Sequence, residues 1–250
     1  MQKIQFLFLF FCCFGVVFGQ KKKNKSKKSK TEPFHYLSNC KTNAEIEKLH
    51  NKLEVVYYIH MGEFSNQEQM DTNTNPQVKP QEVIRVPIWQ KERVGEYWGI
   101  TCLVSPNNPQ KPVGQMIFKM NKINRDTILF ETFGLPVEMR GDFWYTEKGF
   151  ANFKPNDLVK IGCRHIIVGE KMDYAMFLAA GEKPCPTRDL HESVHAIELG
   201  GTINLWGARS TTVYYGVNGN AIRDNKNNPV LFKRGDVKNP RYKDILNPKK

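Results

Sequence analysis

The chain has 250 residues, of which 40% are hydrophobic, and a formal net charge of +12. That hydrophobic share is enough for a core, so global disorder is excluded, and the length fits one β domain or two small domains. Eight lysines without an acid give residues 1–30 a charge of +8, residues 233–250 add +5, and residues 31–232 carry −1. Because a nucleic-acid-binding module carries its basic charge on the folded face, nucleic acid is not an expected partner.

The first nineteen residues have the pattern of a secretory signal. Lys3 precedes an apolar run of 15 residues at 4–18, and a cleavage position follows before Gln20. A membrane-spanning helix needs roughly twenty apolar residues, and no later segment is suited to span a membrane. We therefore expect a secreted protein, extracellular or, in a bacterium, periplasmic. Residues 20–43 are predicted to be a basic leader, 44–234 the folded domain and 235–250 a basic polar tail.

The folded domain reads as a series of short strands. Residues 82–135 contain four apolar runs, rich in Val, Ile, Phe, Tyr and Trp, separated by polar joints. Runs spaced by roughly ten to fifteen residues are typical of consecutive antiparallel strands in a barrel or sandwich. Further strands are predicted at residues 161–168, 173–180, 193–199, 202–206, 211–217 and 230–233, with turns at 181–184, 200–201 and 218–220. An amphipathic helix at 44–58 precedes them, followed at 64–80 by a loop or a short extra helical turn. The prediction is a mainly β fold, an antiparallel barrel of about ten strands with an N-terminal helix.

Four cysteines remain once the signal is removed, namely Cys40, Cys102, Cys163 and Cys185. An even number of cysteines in an oxidising compartment predicts up to two disulfides, with three possible connectivities.

The motif H-E-x-x-H occurs at His191, Glu192 and His195. On a helix, two such histidines ligate Zn²⁺ and the glutamate activates a water, as in metalloproteases. The segment is short for such a helix, its continuation alternates like a strand, and no third ligand follows at the usual spacing. We favour a strand without a metal here, and keep a zinc hydrolase using His191 and His195 as an alternative.

Several short pieces, in this order, resemble the CpcT/CpeT chromophore lyase family over residues 44–234. They are GEFSNQ at 62–67, PIW at 87–89, GEYW at 95–98, KPVGQ at 111–115, Gly162-Cys163, Phe177 with Cys185, Trp206 and NPVLFKR at 228–234. The resemblance implies a calycin-like barrel that binds a linear tetrapyrrole (bilin) and attaches it to a cysteine of an acceptor protein. It also implies that Cys163 pairs with Cys185, which leaves Cys40 and Cys102 as a second bridge.

The chain departs from the family pattern at charged positions. The family carries Tyr and Glu where this chain has Gly99 and Thr101, and Tyr-Arg-Gln-Arg where residues 113–116 read Val-Gly-Gln-Met. A late Asp-Arg-Gly is replaced by Gly-Ala-Arg at 207–209. Because a guanidinium holds a bilin propionate well, these losses predict that the barrel is kept while the lyase chemistry is in doubt.

The candidate ligand-binding residues are Trp89, Tyr97, Gln115, Trp206 and Arg209. This set has the mix of aromatic and few polar groups that is typical of ligand pockets. Strand alternation puts Gln115 on the opposite face from Met116, and either face suits the interior. The alternative for each of these residues is a purely structural or surface position.

Glu131 is the candidate acid, since it lies between apolar neighbours in ILFETF. An inward-facing Glu131 would have a raised pKa, whereas an outward-facing one would be an ordinary surface carboxylate.

Three functional hypotheses follow. The first is a bilin-binding barrel with or without lyase activity, and the second is a non-catalytic calycin-type carrier of a pigment or small hydrophobic ligand. The third is the secreted zinc hydrolase. No cofactor is required by the first two, because the bilin is ligand or substrate, and the expected partners are the bilin, an acceptor protein and a second copy in a homodimer.

Overall fold

A computed structural model describes residues 37–72, 80–106, 108–135, 153–170, 173–178, 185–191 and 194–242. Within these ranges the side chains of residues 109–111, 113, 160–163, 170, 176–178 and 186–191 are not described. The predicted signal at 1–19, most of the basic leader, the turn at 181–184 and the end of the basic tail lie outside the described residues.

Strands dominate the chain, with three short helices near its start. The helices are α1 (Asn43–Ile46), α2 (Lys52–Ile59) and α3 (Gln67–Thr72). The strands up to the middle of the chain are β1 (Gly62–Ser65), β2 (Glu82–Pro87), β3 (Tyr97–Ser105), β4 (Asn108–Lys122), β5 (Thr127–Gly134) and β6 (Val159–Glu170). The later ones are β7 (Asp173–Leu178), β8 (Cys185–His191), β9 (Val194–Asn204), β10 (Gly207–Tyr215), β11 (Ala221–Asp224) and β12 (Val230–Arg234).

Ten of these strands close into an antiparallel barrel, as the sequence predicted. The order around the wall is β10, β12, β1, β2, β3, β4, β5, β6, β7 and β9, and the pairing of β9 with β10 completes the ring. The far ends of β9 and β10 extend beyond the ring, where β8 pairs with β9 and β11 pairs with β10. The fold is therefore a closed barrel with a four-stranded extension on one side.

The predicted helix over 44–58 is divided into two. Thr42 caps α1 together with Glu45, and α2 has its own N-cap in Asn51, whose side chain accepts a hydrogen bond from the Leu53 amide at 3.0 Å. An Asn side chain that bonds the backbone in this way favours a helix start over a helix interior. The single-helix prediction was therefore wrong at residues 47–51.

Helix α2 closes one end of the barrel. The Lys52 ammonium donates to the carbonyls of Gly169 at 2.6 Å and Asp126 at 3.2 Å, which lie at the end of β6 and in the β4–β5 connection. Tyr57, 2% exposed, donates its hydroxyl hydrogen bond to the Trp98 carbonyl at the start of β3. The helix thus buries its apolar side in the barrel and ties its first residue to two turns.

The barrel wall separates two apolar layers. The interior core takes side chains from α2 and from most of the ring, including Val56, Tyr57, Phe64, Val83, Leu103, Phe118, Phe130, Ile167 and Ile203. A second core covers the outer face of β2, β3 and β4, and includes Leu37, Ile84, Trp98, Ile100, Cys102, Ile117, Leu135, Val237 and Tyr242. Residues that precede the barrel strands in the chain, such as Leu37, and residues that follow them, such as Tyr242, therefore cover the same outer wall.

The turn predicted at Gly200-Gly201 is wrong, because both residues lie within strand β9. The chain runs straight through both glycines, and Gly201 has φ +147°. A Cβ at Gly201 would overlap the Arg209 carbonyl oxygen on β10, so the glycine permits a close approach of two backbones rather than a turn. The turn predicted at 218–220 is present, with Gly219 at φ +76°.

The predicted second bridge between Cys40 and Cys102 is wrong, because neither residue is part of a disulfide. Cys102 is buried on the outer face of β3, and Cys40 Sγ lies 3.8 Å from the Arg85 carbonyl oxygen. Burial raises the pKa of the Cys40 thiol to about 12 and that of Cys102 well above its usual range. The pairing of Cys163 with Cys185 stays a prediction, since the Cys163 side chain lies outside the described ones.

Within the described residues, no helix combines the length and the apolar character that a membrane crossing requires.

Candidate functional site

Strand register decides which side chains face the interior of the barrel. Arg85 on β2 lies opposite Thr101 on β3, and Thr101 lies opposite Met116 on β4. Directly opposed residues of an antiparallel pair project to the same face, and the neighbouring pair Val83–Leu103 belongs to the interior core. By the same register Gly99 and Gly114 also face inward, so the positions where the family pattern loses its charges line the interior.

Arg85 brings a positive charge into this interior. Burial lowers the pKa of its guanidinium to about 10, and no carboxylate contributes to that pKa. Its Nε is buried and has no hydrogen-bond partner among the described residues. The Phe64 ring lies 5.3 Å from the Arg85 Cζ and gives the cation an aromatic face. The side chain is still charged at neutral pH, with an unused donor.

Thr101 adds a second unused group beside Arg85. The residue is 7% exposed, and its Oγ1 has no hydrogen-bond partner among the described residues. A buried polar atom without a partner costs about 1–3 kcal/mol, and a charged donor costs more. Arg85 and Thr101 therefore form an adjacent pair in which Arg85 Nε and Thr101 Oγ1 have no hydrogen-bond partner in the described part of the chain.

A cavity of about 60 Å³ lies against Arg85. One side is lined by His60, Phe64, Gln81, Val83, Arg85 and Leu103. The opposite side is the backbone and side chains of β9 and β10 at residues 200–203 and 208–210, with Phe232 of β12. The cavity is large enough for a carboxylate group and too small for a whole pigment, since pockets for such ligands measure about 300–1,000 Å³.

His60 supplies the polar end of the α2 side of this cavity. Its Nδ1 donates to the Val56 carbonyl at 2.8 Å, because a carbonyl only accepts, so Nε2 is the acceptor nitrogen of the neutral ring. Burial, together with the nearby Arg85 charge, lowers the pKa of His60 to about 3. His60 is therefore neutral beside a cation.

A second histidine, His165 on β6, also faces the interior. It lies opposite Phe130 on β5, with the two rings 6.1 Å apart and edge to face. Phe130 also lies 5.9 Å from the His60 ring and stacks on Phe118 at 4.7 Å. Burial lowers the pKa of His165 to about 4.

The aromatic candidates Trp89 and Tyr97 do not line this cavity. Trp89 packs against Trp98 in the outer core, with the two rings 5.3 Å apart, and has φ +56°. Tyr97 lies at the α2 end of the barrel, with its ring 5.1 Å from that of Tyr57. Both residues support the wall rather than the described cavity.

The polar candidates Gln115 and Glu131 face outward. Gln115 lies opposite Cys102 on the outer face of β4 and is 6% exposed. Glu131 lies 3.7 Å from the Arg164 guanidinium and accepts a hydrogen bond from the Asn121 amide at 3.0 Å. The surface alternative for Glu131 is the observed one, so it has no path to the interior.

Trp206 and Arg209 lie together, but outside the barrel. They line an open groove of about 580 Å³ between α3 and the ends of β9, β10 and β12. Trp206 occupies the β9–β10 turn and is 71% exposed, and Leu231, opposite Arg209 on β12, is 48% exposed. The structure therefore brings two of the five predicted ligand residues together at this surface groove, and Arg209 also borders the interior cavity from β10.

The H-E-x-x-H motif is not helical. His191 ends β8, Val194 begins β9 opposite it, and His195 is exposed on β9. The two histidines therefore lie on different strands of a hairpin and not one turn apart on a helix, which removes the geometry of a zinc hydrolase. Glu192 lies outside the described residues. Among the residues described, no group of three or more His, Cys, Asp or Glu side chains is placed to hold a metal ion.

Sequence reasoning missed the groups with unused hydrogen-bonding capacity, Arg85 and His165. Both stand alone in runs of β-forming apolar residues, as EVIRVP and RHIIV. A polar residue within such an apolar run was the available signal of a functional group. Whether its side chain points inward depends on the strand register, which one sequence does not fix.

No protein-family model matches this chain, and no curated protein matches it. Among solved structures, the CRL protein of Arabidopsis matches with a TM-score of 0.51 and 14% identity, over 73% of this chain and 97% of that chain. The T-type phycobiliprotein lyase CpeT from Prochlorococcus phage P-HM1 matches with a TM-score of 0.45 and 12% identity, over 74% and 99% of the two chains. At 14% identity the likeness to the CRL protein shows a shared fold, and membership of the CpcT/CpeT family stays a prediction.

Proposed function

We propose that this protein binds a linear tetrapyrrole, or a similar elongated hydrophobic carboxylate, inside its barrel. The observation that carries the proposal is the half-buried Arg85 side chain, whose Nε is buried and has no hydrogen-bond partner among the described residues. A buried cation without a counter-charge is unfavourable, so a ligand that brings the missing carboxylate gains the free energy of removing that cost.

The neighbours of Arg85 favour a carboxylate rather than another anion of higher charge. A carboxylate oxygen accepts from the guanidinium Nε, and the second oxygen accepts from the Thr101 hydroxyl on the adjacent strand. The single guanidinium balances one negative charge, and the neutral His60 adds none. The propionate side chain of a bilin has this chemistry.

The remaining interior suits a flat apolar body. Phe64, Phe118 and Phe130 line it, and the Phe118 and Phe130 rings are stacked with an angle of 15° between their planes. A conjugated ligand gains both apolar burial and ring stacking against such a surface. Because the cavity measures about 60 Å³, it takes the carboxylate end, and the pyrrole rings require these side chains to move aside.

Attachment of the bilin to an acceptor protein is the second part of the proposal and rests on the sequence resemblance. The reacting thiolate would come from the acceptor, because the Cys40 and Cys102 thiols are buried with raised pKa values. A non-catalytic carrier is the alternative, and it is favoured by the outward position of Glu131. Secretion belongs to the same proposal and rests on residues 1–19.

The test is an absorbance titration of the full-length protein with biliverdin. We expect a red-shifted, intensified band for the wild type and, for Arg85→Gln, a dissociation constant raised about tenfold to a hundredfold, the value of one charged hydrogen bond. Arg164→Gln is the matched control, since Arg164 is half-exposed and lies on the outer face beside Glu131. No spectral change with tens of micromolar biliverdin would refute the proposal, as would equal binding by Arg85→Gln and the wild type.

The lyase and carrier alternatives are separated by a second measurement. The loaded protein is incubated with a bilin-free acceptor protein and the mixture is denatured in urea and acid. A bilin that stays on the acceptor cysteine indicates attachment, and complete release of the bilin indicates a carrier.

A further inference from the structure

A second set of unused hydrogen-bonding atoms lies across the barrel from Arg85. His165 is 2% exposed, and neither its Nδ1 nor its Nε2 has a hydrogen-bond partner among the described residues. Most buried polar side chains in proteins have at least one partner, so a histidine with both nitrogens unused requires an explanation. Exposure to solvent is not the explanation, because His165 lies inside the ring, opposite Phe130.

Arg85 and His165 lie far apart around the barrel wall. Arg85 lies on β2 and His165 on β6, four strands apart in a ring of ten. Neighbouring strands are about 4.8 Å apart, so the two residues are ~19 Å apart along the wall and nearly face each other across the interior. A ligand that reaches both must therefore be elongated.

One aromatic ring separates His165 from the cavity. Phe130 contacts His165 on one side and His60, a cavity-lining residue, on the other, with ring centres 6.1 and 5.9 Å away. Joining the cavity to His165 would require the Phe130 side chain to move. The ring that would move is also the ring on which a flat ligand would stack.

We infer that His165 is the second polar anchor of the ligand held by Arg85, and that it binds an N–H or carbonyl group at the ligand's far end. The inference rests on the proposed function and narrows the ligand class. The ligand is an elongated conjugated molecule with a carboxylate near one end and a pyrrole or lactam group near the other. A neutral imidazole suits this role, because one ring nitrogen donates and the other accepts.

The test compares His165→Phe and His165→Gln with the wild type, using biliverdin and its dimethyl ester as probes. Phe keeps the ring shape and removes both nitrogens, while Gln keeps a donor and an acceptor. We expect His165→Phe to weaken biliverdin binding roughly tenfold, as expected for one lost neutral hydrogen bond, and to shift the long-wavelength band of the bound pigment. Gln is expected to restore part of both effects. His195→Phe is the matched control, since His195 is exposed on the outer surface of β9.

The free protein gives a readout that separates an anchor from a structural residue. A ligand anchor with no partner in the folded chain predicts that His165→Phe is at least as thermally stable as the wild type. Lower stability of the free variant, together with an unchanged bound spectrum, would overturn the inference, and so would wild-type affinity and spectrum in His165→Phe.

The dimethyl ester distinguishes this inference from the proposed function. Weaker binding of the ester than of biliverdin to the wild type supports the carboxylate contact at Arg85, and the ester binding that remains is expected to stay sensitive to His165→Phe. If biliverdin binds and depends on Arg85 but not on His165, only the anchor role of His165 fails. If biliverdin does not bind the wild type at all, the proposed function fails with it.

Discussion

At the scale of single residues, the interior of this barrel is unusual for its buried bases. His60 and His165 are each 2% exposed, and burial, the larger cause in both, lowers their pKa values to about 3 and about 4. Arg85 beside His60 keeps its charge, since its pKa falls only to about 10. One cation therefore lies beside one such neutral ring, His60, and a second neutral ring, His165, lies across the interior.

These two histidines predict a loss of stability in mild acid. Their pKa values in the folded chain lie below the unfolded value of about 6.5, so the unfolded chain binds protons first as the pH falls. The stability they contribute is complete above pH 6.5 and is lost as the pH falls towards 4, by on the order of 3 kcal/mol for each residue at pH 4. Urea unfolding at a series of pH values measures it.

Comparing His165→Phe with the wild type separates the contribution of His165 to the pH-dependent stability from the contribution of the carboxylates. The difference in unfolding free energy between variant and wild type is expected to grow in favour of the variant as the pH falls from 7 to 4. A difference that does not depend on pH would contradict the burial of a neutral His165.

At the scale of elements, β9 shows how one backbone contact sets a strand's course. Gly201 lies against the Arg209 carbonyl of β10, and the same stretch pairs with β7 through Met176. Two strands therefore approach β9 where it has no side chain, and the ring closes at this point.

Replacing Gly201 by Ala is expected to destabilise the protein by about 3 kcal/mol, the upper range for overpacking. The added methyl group would meet the Arg209 carbonyl oxygen, which belongs to a paired backbone and has no room to shift. Thermal unfolding followed by circular dichroism measures the change.

Gly219→Ala is the matched control for this substitution. Gly219 also has a positive φ, +76°, but a Cβ there meets no atom within 4 Å. The expected cost is about 1 kcal/mol, from backbone conformation alone. Equal costs at the two glycines would show that the contact with Arg209 does not limit the packing.

At the scale of the whole molecule, Arg234 links the end of the barrel sequence to its beginning. It ends β12 and is 9% exposed. Its guanidinium donates to the Met61 carbonyl and the Lys41 carbonyl, both at 2.9 Å, and to the Asn43 side chain. One side chain therefore holds the segment before α1, the end of α2 and β12 together.

Arg234→Ala is expected to lower the free energy of unfolding by about 3–5 kcal/mol, because it leaves several buried acceptors without a donor. Arg234→Lys keeps the charge and reaches fewer of these acceptors, so its loss is expected to be smaller but clear. Urea unfolding compares the two, and an alanine variant within 1 kcal/mol of the wild type, less than one buried hydrogen bond, would contradict the role of this residue.

The sequence predicted the architecture better than the site. Alternating runs such as ILFETF marked the strands and their number, because period-2 patterning is local and survives in one sequence. Strand β1 was missed, and α3 was predicted only as a loop or a short helical turn, since Gln69 secures α3 through hydrogen bonds to Pro229 and Leu231, residues distant in the chain. Arg85 and His165 were missed for the same reason, as their inward direction is fixed by partners on other strands.

The pairing of β1 with β12 has a consequence for how the chain folds. Phe64 on β1 pairs with Arg234 on β12, so β1 meets this neighbour only after nearly the entire domain has been synthesised. Contacts of such high sequence separation form slowly, because the entropy of closing the loop is lost before the contact stabilises the chain. We therefore expect the barrel to close only after synthesis of β12, with folding in one late cooperative step.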